Sequence, residues 1–140
     1  MLLHIIARGK IGRSAEAELV DRYVKRLTMP HKITELPDRG GKLPPAPAGT
    51  ITVMLDEKGQ QLGSMDFAHR IEGWRDTGTR ECRFLIGAAD GFGDAERANA
   101  DLLIAFGPMT WPHMMARAML AEQLWRACSI LAGHPYHREG

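Results

Sequence analysis

The sequence predicts an α/β fold with a mostly parallel sheet flanked by helices on both faces. Short apolar runs rich in Ile, Leu and Val alternate with amphipathic helical stretches along the whole chain. Gly- and Pro-rich segments separate them, and neither a repeat nor a shift in composition divides the chain. Such alternation is the pattern of strand–helix–strand units, whose strands run parallel because each connection must cross a face of the sheet. Residues 1–140 are therefore expected to form a single domain, a size at which an unstapled core is feasible.

The elements follow in order. "LLHIIA" (2–7) reads as a buried strand, and "SAEAELVDRYVKRL" (14–27) as a helix capped by Ser14, with Leu19, Tyr23 and Leu27 at i, i+4 spacing. "HKITEL" (31–36) is a second strand. The next segment, "PDRGGKLPPAPAG", holds too many prolines and glycines to be helical, because proline lacks the amide donor and clashes with the preceding turn. Then come a strand at 50–56, a helix from Ser64 to about Asp76, a strand at 82–87, a short helix near 94–100 and a strand at 102–106. A helix from about His113 to Leu131 is the last element. Apolar residues ring most of it, so it must bury more than one face, and a second copy of the chain is the expected cover for one of them. Arg117 falls on its apolar side, where a guanidinium needs an anionic or carbonyl partner; a structural ion pair and a site role both satisfy that need.

Composition narrows the function classes. The chain is 44% hydrophobic and 25% charged, in the range of ordinary globular proteins. No apolar run approaches the roughly 18 residues of a membrane span, so no membrane partner and a cytoplasmic location are expected. Cys82 and Cys128 lack a nearby cysteine partner and read as reduced, buried thiols. Net charge is only +1, but residues 1–50 hold nine Lys/Arg against five Asp/Glu, and residues 51–140 hold nine against twelve. The N-terminal half could thus face phosphates or simply carry a solvated basic helix face.

In parallel sheets ligands bind beyond the carboxyl ends of the strands, where loops and helix N-termini converge. Three loops qualify here: "DEKGQQLGS", "GAADGFGD" and "GPMTWPH". Neither a dinucleotide fingerprint nor a phosphate-loop lysine is present. The end of the chain, "HPYHRE" (134–139), concentrates titratable side chains where disorder is usual. A metal site using His134, His137 and His113 lacks a carboxylate or thiolate partner placed by the sequence, so no metal is expected. The alternatives are a disordered end and a docked strip that completes an active site.

Taken together, "FLIGAADG", "WPHMMARAMLAEQLWRA" and "HPYHRE" resemble the ribosomal RNA large subunit methyltransferase H family of the SPOUT, or α/β-knot, superfamily. The resemblance covers essentially the whole chain in order. It implies a deep C-terminal trefoil knot, a homodimer, S-adenosyl-L-methionine as cofactor, and methyl transfer to N3 of a pseudouridine in 23S rRNA of the assembled ribosome. The family's cofactor positions fall on Leu55, on Gly87, and on Phe106, Gly107, Pro108, Met109, Thr110 and Trp111. The imide N3 of a uracil is protonated at neutral pH, so the tail is expected to supply the catalytic groups. His134 or His137 would remove the proton, Tyr136 would orient the base, and Arg138 would bind a phosphate or the developing anion. Ala88 replaces a glycine usual in the family, and the Pro-rich segment replaces a helix. Those departures motivate the alternative of a non-enzymatic ribosome-binding or assembly factor.

Overall fold

A computed structural model describes residues 1–88 and 92–137. Five strands, Leu2–Arg8 (β1), His31–Leu36 (β2), Thr50–Gln60 (β3), Glu81–Ile86 (β4) and Leu102–Ile104 (β5), form one sheet in the order β2-β1-β4-β3-β5. Every pairing is parallel, as the alternating pattern requires. The central strands read as nearly continuous apolar runs because both their faces are covered: all six residues of β4 are buried.

The helices are Ala15–Val24 (α1), Ser64–Asp76 (α2), Asp94–Asn99 (α3) and His113–Leu131 (α4). Ser14 begins α1 as expected, its hydroxyl accepting from the Ala17 amide at 3.1 Å, with Glu16 and Glu18 in the positive first turn. One sheet face, built from Leu3, Ile5, Val53, Phe84 and Ile104, packs against Phe67 and Ile71 of α2 and Leu120 and Leu124 of α4. On its other side α4 packs against α1 through Ala118, Ala121 and Val20. Sheet, α2 and α1 thus cover much of the helix, which accounts for most of the apolar residues that ring it.

The opposite face is covered differently. Ile6, Leu36, Met54 and Leu85 are covered by Leu43 of the crossover, Phe92 and Ala100, rather than by a long helix. A polar network interrupts this face, so it presents too little apolar surface for one. His4 Nδ1 lies 3.2 Å from Glu81, His4 Nε2 lies 2.7 Å from the Thr34 hydroxyl, and Arg83 Nε donates to Glu81. Both terminal nitrogens of Arg83 then donate to the carbonyls of Pro44 and Pro45, each at 2.5 Å. The crossover that proline makes non-helical is fixed to the sheet by this buried guanidinium.

Strand β3 is longer than the sequence suggests. Its last residues fold back onto β5, Gln60 accepting from the Ala105 amide at 3.0 Å beyond an irregularity after Leu55. Gly59 makes the approach possible, since a Cβ there would lie 2.5 Å from the Ile104 nitrogen and 2.6 Å from the Leu103 carbonyl carbon.

Candidate active site

The carboxyl ends of β3, β4 and β5 enclose a cavity of about 330 Å³, within the size range of small-ligand sites. Leu55 ends the regular part of β3 at its floor, and Gly87 follows β4. The segment after β5 forms the opposite wall: Phe106, Gly107, Met109, Thr110 and Trp111 all line the space. Gly107 holds φ +99°, a left-handed turn that carries the chain away from β5 toward α4. The Trp111 indole N–H donates to the Phe106 carbonyl at 3.0 Å, closing that turn on itself.

Seven of the eight cofactor positions implied by the resemblance thus line one cavity; the eighth, Pro108, is exposed and is not among its lining residues. Ala88 is part of the wall, so its methyl group narrows the cavity without filling it.

Charged residues at one rim were not singled out in the sequence. Arg97 Nε donates to Asp56 at 2.6 Å, and the Thr110 hydroxyl donates to Glu57 at 2.7 Å. Burial pushes the Asp56 carboxyl up, but the hydrogen bonds from Arg97 and the Lys58 amide outweigh it and hold its pKa below the usual carboxylate value. These contacts lash the segment after Leu55 to α3 and to the Thr110 wall. The acidic start of "DEKG" after an apolar strand was the available signal. His113 also lines the cavity, and among the described residues its buried Nδ1 has no hydrogen-bond partner.

Arg117 resolves to a structural role. It is 1% exposed and bonds to Glu35 at 2.6 Å and to the carbonyls of Arg8 and Gly9 at 3.3 and 3.0 Å, joining α4 to the end of β1.

The tail as far as His137 is docked, but away from this cavity. Tyr136 packs on Trp125 with ring centroids 3.8 Å apart, and its hydroxyl donates to Glu122 at 3.1 Å. Burial, followed by the Glu122 carboxylate, raises its phenol pKa. The Arg126 guanidinium lies over the Tyr136 ring and donates to His137 Nδ1 at 3.0 Å. His134 is exposed, and its amide donates to the Ser129 carbonyl at 2.8 Å. None of these three residues lines the cavity, and Arg138 lies outside the described residues. The reason is geometric: the cavity meets the first turn of α4 and the tail follows its last, across a 19-residue helix roughly 28 Å long.

Among the described residues no group of three His, Cys, Asp or Glu could hold a metal ion, and no helix is long and apolar enough to cross a membrane.

A parallel α/β sheet with a glycine-shaped cavity at its carboxyl edge is the architecture of a nucleotide- or cofactor-using enzyme. The comparisons give it a family. The family model described as "Predicted SPOUT methyltransferase" matches residues 1–137. The chain is 72% identical over 140 residues to a protein of Rhizorhabdus wittichii named ribosomal RNA large subunit methyltransferase H, the match covering all of both chains. Identically named proteins of Zymomonas mobilis and Paramagnetospirillum magneticum are 66% and 50% identical, covering 100% and 99% of each chain. A probable methylase family protein of Haemophilus influenzae shares the fold at TM-score 0.55 and 7% identity, over 94% of this chain and 66% of that one. The chain belongs to the ribosomal RNA large subunit methyltransferase H family of SPOUT methyltransferases.

Proposed function

We propose that this protein is an S-adenosyl-L-methionine-dependent methyltransferase that modifies N3 of a pseudouridine in 23S rRNA of the assembled ribosome, acting as a homodimer. The carrying observation is the cavity at the carboxyl ends of β3 to β5, where residues separated by more than fifty positions meet. Its chemistry fits the cofactor. Leu55, Phe106 and Trp111 offer apolar walls, the backbone at Gly87 and Gly107 offers amide and carbonyl groups without side-chain obstruction, and Thr110 and His113 offer polar atoms.

The bound cofactor supplies an electrophilic methyl group on a sulfonium. The protein must place the acceptor nitrogen in line with it and remove one proton as the nitrogen–carbon bond forms. His134 or His137 takes that proton, Tyr136 orients the base, and Arg138 meets a phosphate or the developing anion. A tail at the far end of α4 serves the cavity of another subunit, so each site combines one chain's cavity with its partner's tail. Support for a second copy comes from the groove between α1 and α4, lined by Leu19, Tyr23, Phe106, Ala118 and Met119, beside a Met115 that is 41% exposed. The reading also includes the family's deep trefoil knot. Its support is the close seating of Gly59 on β5 together with the Glu57–Thr110 bond, which press the end of β3 against the chain leading into α4.

Calorimetric titration with S-adenosyl-L-methionine and mass mapping of 23S rRNA from a strain lacking the gene test the reading. Heat of binding at one site per chain and loss of a single methylated pseudouridine are expected. Absence of both supports the other reading, a ribosome-binding factor that keeps the fold without the reaction.

A further inference from the structure

We propose that two loops at the carboxyl ends of β1 and β2, residues 8–13 and 37–42, form a rigid phosphate-binding rim that docks ribosomal RNA beside the cavity. The proposal rests on the reading that the substrate is ribosomal RNA, and adds the surface that holds it.

Charge singles out these loops. Together they carry Arg8, Lys10, Arg13, Arg39 and Lys42 against one carboxylate, Asp38, whereas the entire chain carries a net charge of +1. The neighbouring Glu35 does not cancel them, because it is engaged by Arg117. Lys10, Arg13 and Lys42 are exposed; Arg13 and Lys42 enter no hydrogen bond or ion pair among the described residues, and Lys10 only adds its field to Glu35. Concentrated, solvated cations of one sign are the signature of a polyphosphate surface.

Position is the second argument. All strands are parallel, so the loops after β1 and β2 share the sheet edge that holds the cavity. The contacts are direct. The Arg8 guanidinium lies 5.6 Å from the ring centroid of Phe92, a cavity residue, and a Cβ on Gly9 would lie 3.5 Å from His113 Cε1. A nucleotide presented to the cavity therefore runs its backbone past these cations.

Rigidity is the third. Arg8 donates to the carbonyls of Pro37 and Gly40 at 3.0 and 2.7 Å, tying one loop to the other. Arg117 holds the carbonyls of Arg8 and Gly9 from beneath, and Arg83 holds those of Pro44 and Pro45 just beyond Lys42. A crossover with no role in the cavity is thus fixed by a buried cation, which presents Lys42 without the entropy cost of ordering a loose loop on binding.

The test compares wild type, the loop variant Lys10→Glu/Arg13→Glu/Lys42→Glu, and a control Lys25→Glu/Arg75→Glu/Arg80→Glu on the opposite edge. Binding to purified large ribosomal subunits and to whole ribosomes is measured across a salt series, with S-adenosyl-L-methionine binding and thermal melting measured in parallel. The loop variant should melt normally and bind cofactor normally, yet lose at least about tenfold in ribosome affinity, with a salt slope lower by roughly 2 to 3. Equal affinity of wild type and loop variant, an equal loss in the control, or no ribosome binding by wild type would each overturn the proposal. If wild type binds ribosomes through these loops but transfers no methyl group, the enzyme reading fails while the docking surface stands.

Discussion

Gly59 shows how one residue can secure a site it does not touch. A methyl group there would meet the backbone of Leu103 and Ile104 at 2.5–2.6 Å, and backbone atoms in a sheet cannot step aside as a side chain does. Gly59→Ala should destabilise the protein by about 1–3 kcal/mol, the usual cost of overpacking, seen as a melting temperature lowered by several degrees. It should also weaken cofactor binding, because Glu57 and its bond to Thr110 lie two residues away. His4 contributes to acid sensitivity near neutral pH. Burial lowers its pKa from the ordinary value of 6.5, against the raising pull of Glu81. The unfolded chain therefore takes up this proton more readily than the folded one, and stability contributed by neutral His4 is lost as pH falls through about 6.5. Melting temperatures should drop between pH 7 and pH 5.5, and His4→Gln, which keeps a hydrogen-bonding side chain but cannot titrate, should flatten that part of the curve.

At the scale of elements, the tail and α4 behave as one unit: Tyr136 fills space against Trp125, and its hydroxyl shares Glu122 with Arg126. Truncation after Leu131 should leave a folded protein that binds cofactor with unchanged affinity and turns over at least about a hundredfold more slowly, the scale of lost acid–base assistance. Single-turnover assays alongside cofactor titration check this. The order of elements was legible in the sequence because periodicity is local: Ser14 marked the start of α1, and His113–Leu131 matched α4 at both ends. The fold-back of β3 was not, because it depends on Gly59 meeting a strand more than forty residues away. The docking of the crossover on the second face was not legible for a related reason, since nothing local says that Arg83 will reach Pro44 and Pro45. Most of the cavity was legible through family resemblance, as its residues are small or apolar and carry little chemical signal alone. Asp56, Arg97 and His113 joined it only once three strand ends were brought together.

For the whole molecule, the proposed homodimer rests on the apolar groove between α1 and α4. Met119→Glu places a carboxylate in that groove, near Glu122 and Glu16. Sedimentation equilibrium should show a dimer for the wild type and a folded monomer for this variant, with methyl transfer lost and the circular dichroism spectrum retained. With the cavity at the start of α4 and the docked residues after its end, the shared site proposed above lets a neighbour, but not the same polypeptide, repair either defect. A chain ending at Leu131 and a chain carrying Gly87→Trp should both be inert alone. Unfolded together and renatured in equal amounts, they should regain roughly a quarter of wild-type turnover, since half the pairs are hybrids and each hybrid holds one intact centre of two.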